Sequence, residues 1–231
     1  MKCSGSGRGT RRDSYHHGNL REALIQAALA LIAERGPAGF TFADVARSTG
    51  VSPAAPYRHF RDLDELKADV ARRGFERFAA VLAQAWNEGR PDPLTAIEMC
   101  GRAYLAFARA EPAYFAAMFE SGSGTDADLL QAGDRAFGVL RTAAETLCAQ
   151  VPRERRPPPL MVSLHIWSMV HGIASLFVGP GGKRPLPMSP EDLLEAGLLI
   201  YLRSLGLIPD GSSNPPPADT GTLTDDLTDN R

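Results

Sequence analysis

The sequence predicts an all-α protein, and three observations lead there. Ala, Leu, Arg and Glu are frequent while runs rich in Val, Ile and Thr are scarce, which favours helix over strand. Apolar residues recur three and four positions apart in one segment after another, the spacing that lines a single helix face. Breaks containing Gly and Pro divide those segments. A chain of 231 residues suits one or two domains, and a hydrophobic share of 44% is ordinary for a chain with a buried core.

Residues 1–12, MKCSGSGRGTRR, read as a flexible basic arm. From Asn19 the pattern turns helical, with Leu20, Leu24, Ala28 and Leu31 at helical spacing until Gly36-Pro37 stops the run. Thr41 is placed to cap a short helix over residues 42–48, whose apolar positions are Phe42, Val45 and Ala46. Thr49-Gly50-Val51 is the break that follows, and Gly50 suits a positive φ. Ser52 then reads as the cap of another short helix. Pro53 would take its first position, where a missing N–H costs nothing, and Pro56 would still lie in its first turn. The two prolines would fix the helix start and set Tyr57, Arg58 and His59 on its last turn, before Phe60 packs inward.

Asp62 caps a long helix over residues 63–87, apolar at Leu63, Leu66, Val70, Phe75, Phe78, Leu82 and Trp86, and Gly89-Arg90-Pro91 breaks it. Helical segments follow at 93–109, 112–119, 126–150, 159–178 and 190–206. Their breaks hold Glu111-Pro112, Gly122-Ser123-Gly124, Pro157-Pro158-Pro159 and Gly179-Pro180-Gly181-Gly182. From Pro209 the chain is rich in Pro, Asp, Thr and Ser and reads as a disordered acidic tail.

The formal net charge of −2 hides a gradient. Residues 1–61 carry nine Lys/Arg against four Asp/Glu, and the tail from Pro209 carries one Arg against five Asp. A basic N-terminal end suggests a polyanionic partner. Two short helices separated by a Gly-containing turn, preceded by a third helix, have the spacing of a helix-turn-helix. Its second helix would lie in a DNA major groove. Ala54 and Ala55, beside Ser52 and Pro53, are small enough for close approach to base edges and thymine methyls. Tyr57 and His59 can donate to phosphate oxygens, and Arg58 can hold a phosphate or a guanine. Arg11 and Arg12 precede the first helix, as minor-groove arms do in other helix-turn-helix proteins.

An enzyme is the rival class, and the sequence offers it no nucleophile motif, metal-spaced cluster or phosphate loop. Gly179-Pro180-Gly181-Gly182 lacks the Lys-Ser/Thr that a phosphate loop needs. No enzyme activity, cofactor or metal is therefore expected. The cysteines, Cys3, Cys100 and Cys148, are odd in number and match no zinc or redox spacing. With no signal peptide in view, the expected compartment is the reducing cytoplasm. Residues 160–178 carry no charged side chain, but three serines and two histidines among them favour a buried helix over a membrane span.

Tyr15-His16-His17-Gly18-Asn19-Leu20-Arg21, Thr41-Phe42-Ala43-Asp44-Val45-Ala46, Gly50-Val51-Ser52 and Tyr57-Arg58-His59-Phe60 together resemble the DNA-binding domain of the TetR/AcrR family of bacterial transcription regulators. The resemblance covers residues 14–66. Trp167-Ser168-Met169-Val170-His171-Gly172 resembles the W-x-x-x-H-G signature of one C-terminal subclass, the WHG domain. The resemblance implies phosphate contacts at Thr41, Tyr57 and His59, and base or phosphate contacts at residues 52–55 and Arg58. Leu63 stands where the family usually carries a Lys, so one phosphate anchor is missing and Arg61 is the candidate substitute.

Trp167 and His171, four apart, share a helix face. They are either a core tryptophan beside a histidine bound to a backbone carbonyl, or a ligand-sensing pair. Tyr104, Phe107, Tyr114, Phe115, Met118 and Phe119 are core by composition, yet they could line an apolar pocket. Residues 193–202 are apolar almost all round and need cover on two sides, one of them from a second copy. The expected organisation is an arm (1–12), a helix-turn-helix domain (13–62), a helical ligand-binding and dimerisation domain (63–208) and a tail (209–231). The expected function is a ligand-responsive repressor that binds palindromic double-stranded DNA as a homodimer, released by a small, mostly apolar effector, with no membrane partner. The alternative is a helical interaction module or small-molecule sensor that has lost DNA binding.

Overall fold

The computed structural model describes residues 20–120, 126–178 and 187–208. Among them the chain forms eight α-helices and no strand, the all-α class that the sequence predicts, with one expected helix missing. The helices are α1 (Leu20–Arg35), α2 (Phe42–Thr49), α3 (Leu63–Trp86), α4 (Pro93–Ala110), α5 (Pro112–Glu120), α6 (Ala127–Ala149), α7 (Pro159–Ile173) and α8 (Pro190–Ser204). The arm with Arg11 and Arg12, the Tyr15–Asn19 part of the first motif, the breaks at 122–124 and 179–182, and the tail lie outside the described residues.

Local chemistry sets the helix ends. Thr41 caps α2 in a full capping box: its hydroxyl accepts from the Asp44 N–H at 3.2 Å, and the Asp44 carboxylate accepts from the Thr41 N–H at 2.9 Å. Gly50 closes α2 at φ 70°, which a Cβ would disfavour. Asp62 caps α3 by accepting from the Glu65 N–H.

The expected helix over residues 53–59 is absent, and Ser52 caps nothing. A turn at 52–55 leads instead into one 3₁₀ turn, Pro56–Arg58. The reason lies in the prolines. A helix capped at Ser52 would make its first backbone bond from residue 56 to the Ser52 carbonyl, and Pro56 has no N–H to give. The Ala55 N–H takes the Ser52 carbonyl at 2.9 Å, and His59 and Phe60 donate to the Pro56 carbonyl at 2.9 and 3.1 Å.

Helix α3 is the spine. It packs against α4, α5 and α6, while α1 lies on α2, α3 and α5, and α7 and α8 pack on each other and on α4. Asp69 of α3 is only 7% exposed and sits among three arginines. It accepts from Arg72 at 2.6 Å, from Arg73 at 3.1 Å and from both terminal nitrogens of Arg21 at 3.2 and 3.3 Å. Arg73 also holds Glu22 at 2.6 Å. Helices α1 and α3 are thus clamped by charge as well as by their apolar faces.

Helix α7 stops at Ile173 and runs on as a π turn, Ala174–Val178. The predicted burial holds for one face: Val162, Ile166, Val170 and Ile173 are buried, whereas Leu160, Leu164 and Leu176 are exposed. By length and composition the segment Pro159–Phe177 would suffice to cross a bilayer; here one face forms part of the core.

Candidate nucleic-acid interface and ligand cavity

The turn between α2 and α3 presents its polar side chains outward. Ser52, Pro53 and Ala54 are exposed and Ala55 is half-buried. Pro56 and Phe60 are buried and pin the turn from beneath, so Tyr57, Arg58 and His59 between them all face solvent. Tyr57 is 61% exposed, and its ring stands edge-on to Phe42 with centroids 4.9 Å apart. That contact fixes the ring and leaves the hydroxyl at the surface. Arg21 lies over the Phe60 ring at 4.8 Å, which ties the turn to α1.

Other candidates are already engaged. The Thr41 hydroxyl donates to the Asp44 carboxylate at 2.6 Å. That bond, then the one from the Thr41 N–H, holds the Asp44 carboxyl below its usual range. Arg61 is exposed but paired with Asp62 at 3.0 Å. Leu63 is half-buried and packs on the core, so an apolar contact replaces the family's usual cation there. Two cations close by escaped the sequence reading. Arg47 of α2 is exposed and paired with Asp44 at 2.8 Å, and Lys67 lies over the Phe40 ring at 5.3 Å. Arg47 is three residues from Asp44 and legible as a helix pair; Lys67 falls one turn beyond Leu63.

At the other end of α3 the helices enclose a cavity of about 500 Å³. Phe75, Phe78 and Leu82 of α3 form one wall, and Leu129, Asp134, Phe137 and Leu140 of α6 form the facing one. Tyr104, Met118, Phe119 and Trp167 complete it. Of the eight residues read as possible pocket lining, Tyr104, Met118, Phe119 and Trp167 line this cavity. Phe107, Tyr114, Phe115 and His171 do not. Phe107 packs on Phe78 with ring centroids 5.0 Å apart, and Tyr114 lies beneath the Arg77 guanidinium at 4.8 Å. Phe115 stacks on His171 with centroids 5.8 Å apart. The residues of α3 and α6 were missed because a cavity-lining Phe has the same helical spacing as a core Phe.

His171 joins the cavity through Tyr104. The Tyr104 hydroxyl lies 2.8 Å from His171 Nδ1, and the Ser175 hydroxyl 3.3 Å from Nε2. Burial pushes the His171 pKa down and the Tyr104 pKa up, so both are neutral at pH 7. Either neutral tautomer satisfies both bonds: with the proton on Nε2, the Tyr104 O–H donates to Nδ1 and the Nε2–H to Ser175, and with the proton on Nδ1 both bonds reverse. His171 is thus held by side chains and not by a backbone carbonyl. The π turn supplies Ser175. Tyr104→Phe should lower the unfolding free energy by about 1–3 kcal/mol, because it leaves His171 Nδ1 without its partner. Urea denaturation beside the wild type measures this, and an unchanged midpoint would mean that water replaces the hydroxyl.

The chain matches the family profile described as "Bacterial regulatory proteins, tetR family" over residues 24–70. It matches "Tetracyclin repressor-like, C-terminal domain" over residues 97–200, which include Trp167 and His171. It is 22% identical over 183 residues to the helix-turn-helix-type transcriptional regulator YobS of Bacillus subtilis, covering 78% of this chain and 87% of that protein. A Rhodococcus sp. RHA1 protein of unknown function has a similar structure, with TM-score 0.69 and 26% identity over 84% of this chain and 98% of that one. The structure of AibR in complex with isovaleryl coenzyme A and operator DNA is similar too, with TM-score 0.61 and 18% identity over 78% and 96% of the two chains.

Proposed function

The chain belongs to the TetR family of bacterial regulatory proteins, and from that premise we propose that it is a homodimeric repressor released from operator DNA by a small, mostly apolar effector. The observation that carries the reading is that one helix serves both candidate sites. The exposed Tyr57-Arg58-His59 turn leads into the start of α3, and Phe75, Phe78 and Leu82 further along α3 line the cavity. On this reading residues 13–62 bind DNA and residues 63–208 bind the effector and the second copy, in the cytoplasm beside the chromosome.

Support for coupling comes from the packing around α3. Met118 lines the cavity, and a Cβ built on Gly74 of α3 would meet its side chain at 2.8 Å. An effector that displaces Met118 therefore pushes on α3, and α5, which carries Met118, also packs on α1. The effector acts only if it binds the DNA-incompetent arrangement more tightly than the competent one. A tenfold loss of operator affinity needs about 1.4 kcal/mol of such coupling. Support for a dimer comes from Leu160 and Leu164 of α7 and Leu199 and Ile200 of α8, apolar side chains left exposed on adjacent helices. Two copies related by a twofold axis would present two recognition turns about 34–36 Å apart, one turn of DNA.

The test is the binding of fluorescent promoter DNA across a salt series. Arg58→Ala should weaken operator binding by about 1–3 kcal/mol if Arg58 reads a base edge. If it holds phosphate alone, the loss should be uniform across sequences and the salt slope should fall by about one. Unchanged binding by the folded variant would remove both roles. Absence of operator binding by the wild type would favour the interaction-module reading.

A further inference from the structure

We propose that the cavity is selective for a hydrophobic organic cation; this rests on the reading of the cavity as the effector site. Consider which polar groups are free inside it. The Tyr104 hydroxyl is already bonded to His171 Nδ1 at 2.8 Å. The described lining holds no Lys, Arg or His, so it offers a carboxylate or phosphate no charged donor. Asp134 is the one acidic side chain among the described lining residues. Its carboxylate, on the exposed side of α6, has no ion-pair or hydrogen-bond partner among the described residues. The neighbouring Arg135 turns instead toward Glu76, 3.9 Å away. The one formal charge that the described lining offers a ligand is negative.

Its walls point the same way. Six aromatic side chains, Phe75, Phe78, Tyr104, Phe119, Phe137 and Trp167, surround the space. Ring faces carry negative potential, and an ammonium held among them gains from each ring. An anion would meet the same faces and the Asp134 carboxylate with no cation to offset either. A volume of about 500 Å³ suits a small drug-sized molecule rather than a metal or an inorganic ion. Charge and shape together describe an apolar body carrying one positive centre near the Asp134 side. This separates the cavity from one built for an anionic coenzyme A thioester such as the ligand held by AibR.

The experiment is an equilibrium titration of the full chain, read by tryptophan fluorescence and checked by calorimetry. Three probes share one body: a 6-phenylhexyl trimethylammonium, its neutral tert-butyl isostere and the carboxylate of the same chain length. The cation should bind about tenfold tighter than the isostere, the order that a desolvated cation–π contact supplies, and the carboxylate weakest. Asp134→Asn should abolish the preference for the cation and leave the isostere's affinity unchanged. Asp128→Asn, an equal change of charge on the same helix outside the cavity, should keep the preference. Tightest binding by the carboxylate, equal binding of all three, or a cation preference that survives Asp134→Asn would overturn the proposal. Operator binding and release are measured in parallel. Release by all three probes alike would leave the effector site standing and remove its charge selectivity. Binding of none of them would remove both, while operator binding would still stand on its own.

Discussion

Asp69→Ala is expected to lower the unfolding free energy by about 2–3 kcal/mol. Breaking a fully buried ion pair costs about 3–5 kcal/mol, and the figure here is smaller because the three arginines keep contact with water. Asp69 is buried at 7% exposure, whereas Arg21, Arg72 and Arg73 are 45%, 28% and 26% exposed. Burial raises the Asp69 pKa, but hydrogen bonds from Arg72 and Arg21 outweigh it, and the carboxyl stays below its ordinary value. The sign of the pH dependence follows. A depressed folded pKa contributes stability above the unfolded value, about 3.9, and that stability is lost as pH falls through the folded value. The wild type should therefore lose stability more steeply than Asp69→Ala on the acid side of about pH 4. Urea denaturation at pH 7 and at pH 3–4 measures both effects. Equal midpoints for the two proteins at pH 7 would mean that the cluster is screened by solvent and that apolar packing alone joins α1 to α3.

How much of this could be read from the sequence depends on how far apart the partners lie. The Thr41–Asp44 capping box and the Asp62 cap are local, and the sequence reading found both caps. The Pro53/Pro56 pair is local too, yet it was misread. Pro56 is tolerable in the first turn of a longer helix, but in one this short it removes the bond that would start it. Asp69 to Arg72 and Arg73 is a helical i, i+3 and i+4 pattern, whereas Arg21 lies 48 residues away and only the fold brings it in. The shared face of Trp167 and His171 was legible in the same way. Tyr104 was named as a pocket candidate and not as a partner of His171, because the bond between them spans 67 residues. A cavity is harder still. It is a failure of side chains to fill space, and Phe75, Phe137 and Leu140 have the spacing of an ordinary core face. Asp134, one of three acidic residues along α6, gains meaning only from the aromatic rings around it.

Ile200→Arg is expected to leave the monomer folded and to abolish the proposed dimer. Ile200 is 70% exposed, so within one copy the change should fall within about 0.5 kcal/mol. The effect appears on association. In a twofold interface each substitution occurs twice, and each would place a charge against the apolar surface of Leu160, Leu164 and Leu199. An unpaired charge desolvated at an interface costs on the order of 2–5 kcal/mol, so two of them weaken association by a factor of a thousand or more, by order of magnitude. Operator binding should then fall by on the order of 100-fold or more, because the second recognition turn is no longer tethered to the first. Sedimentation equilibrium at micromolar concentration should show the dimer mass for the wild type and the monomer mass for the variant, with thermal unfolding of the monomer otherwise ordinary. A variant that keeps the dimer mass would move the interface away from the exposed face of α8. A wild type that is monomeric and still holds a palindromic operator would remove the dimer from the mechanism. Loss of DNA binding with the dimer mass intact would instead implicate the geometry of the recognition turns, and the same salt series used for Arg58→Ala would show it as lost affinity with an unchanged slope.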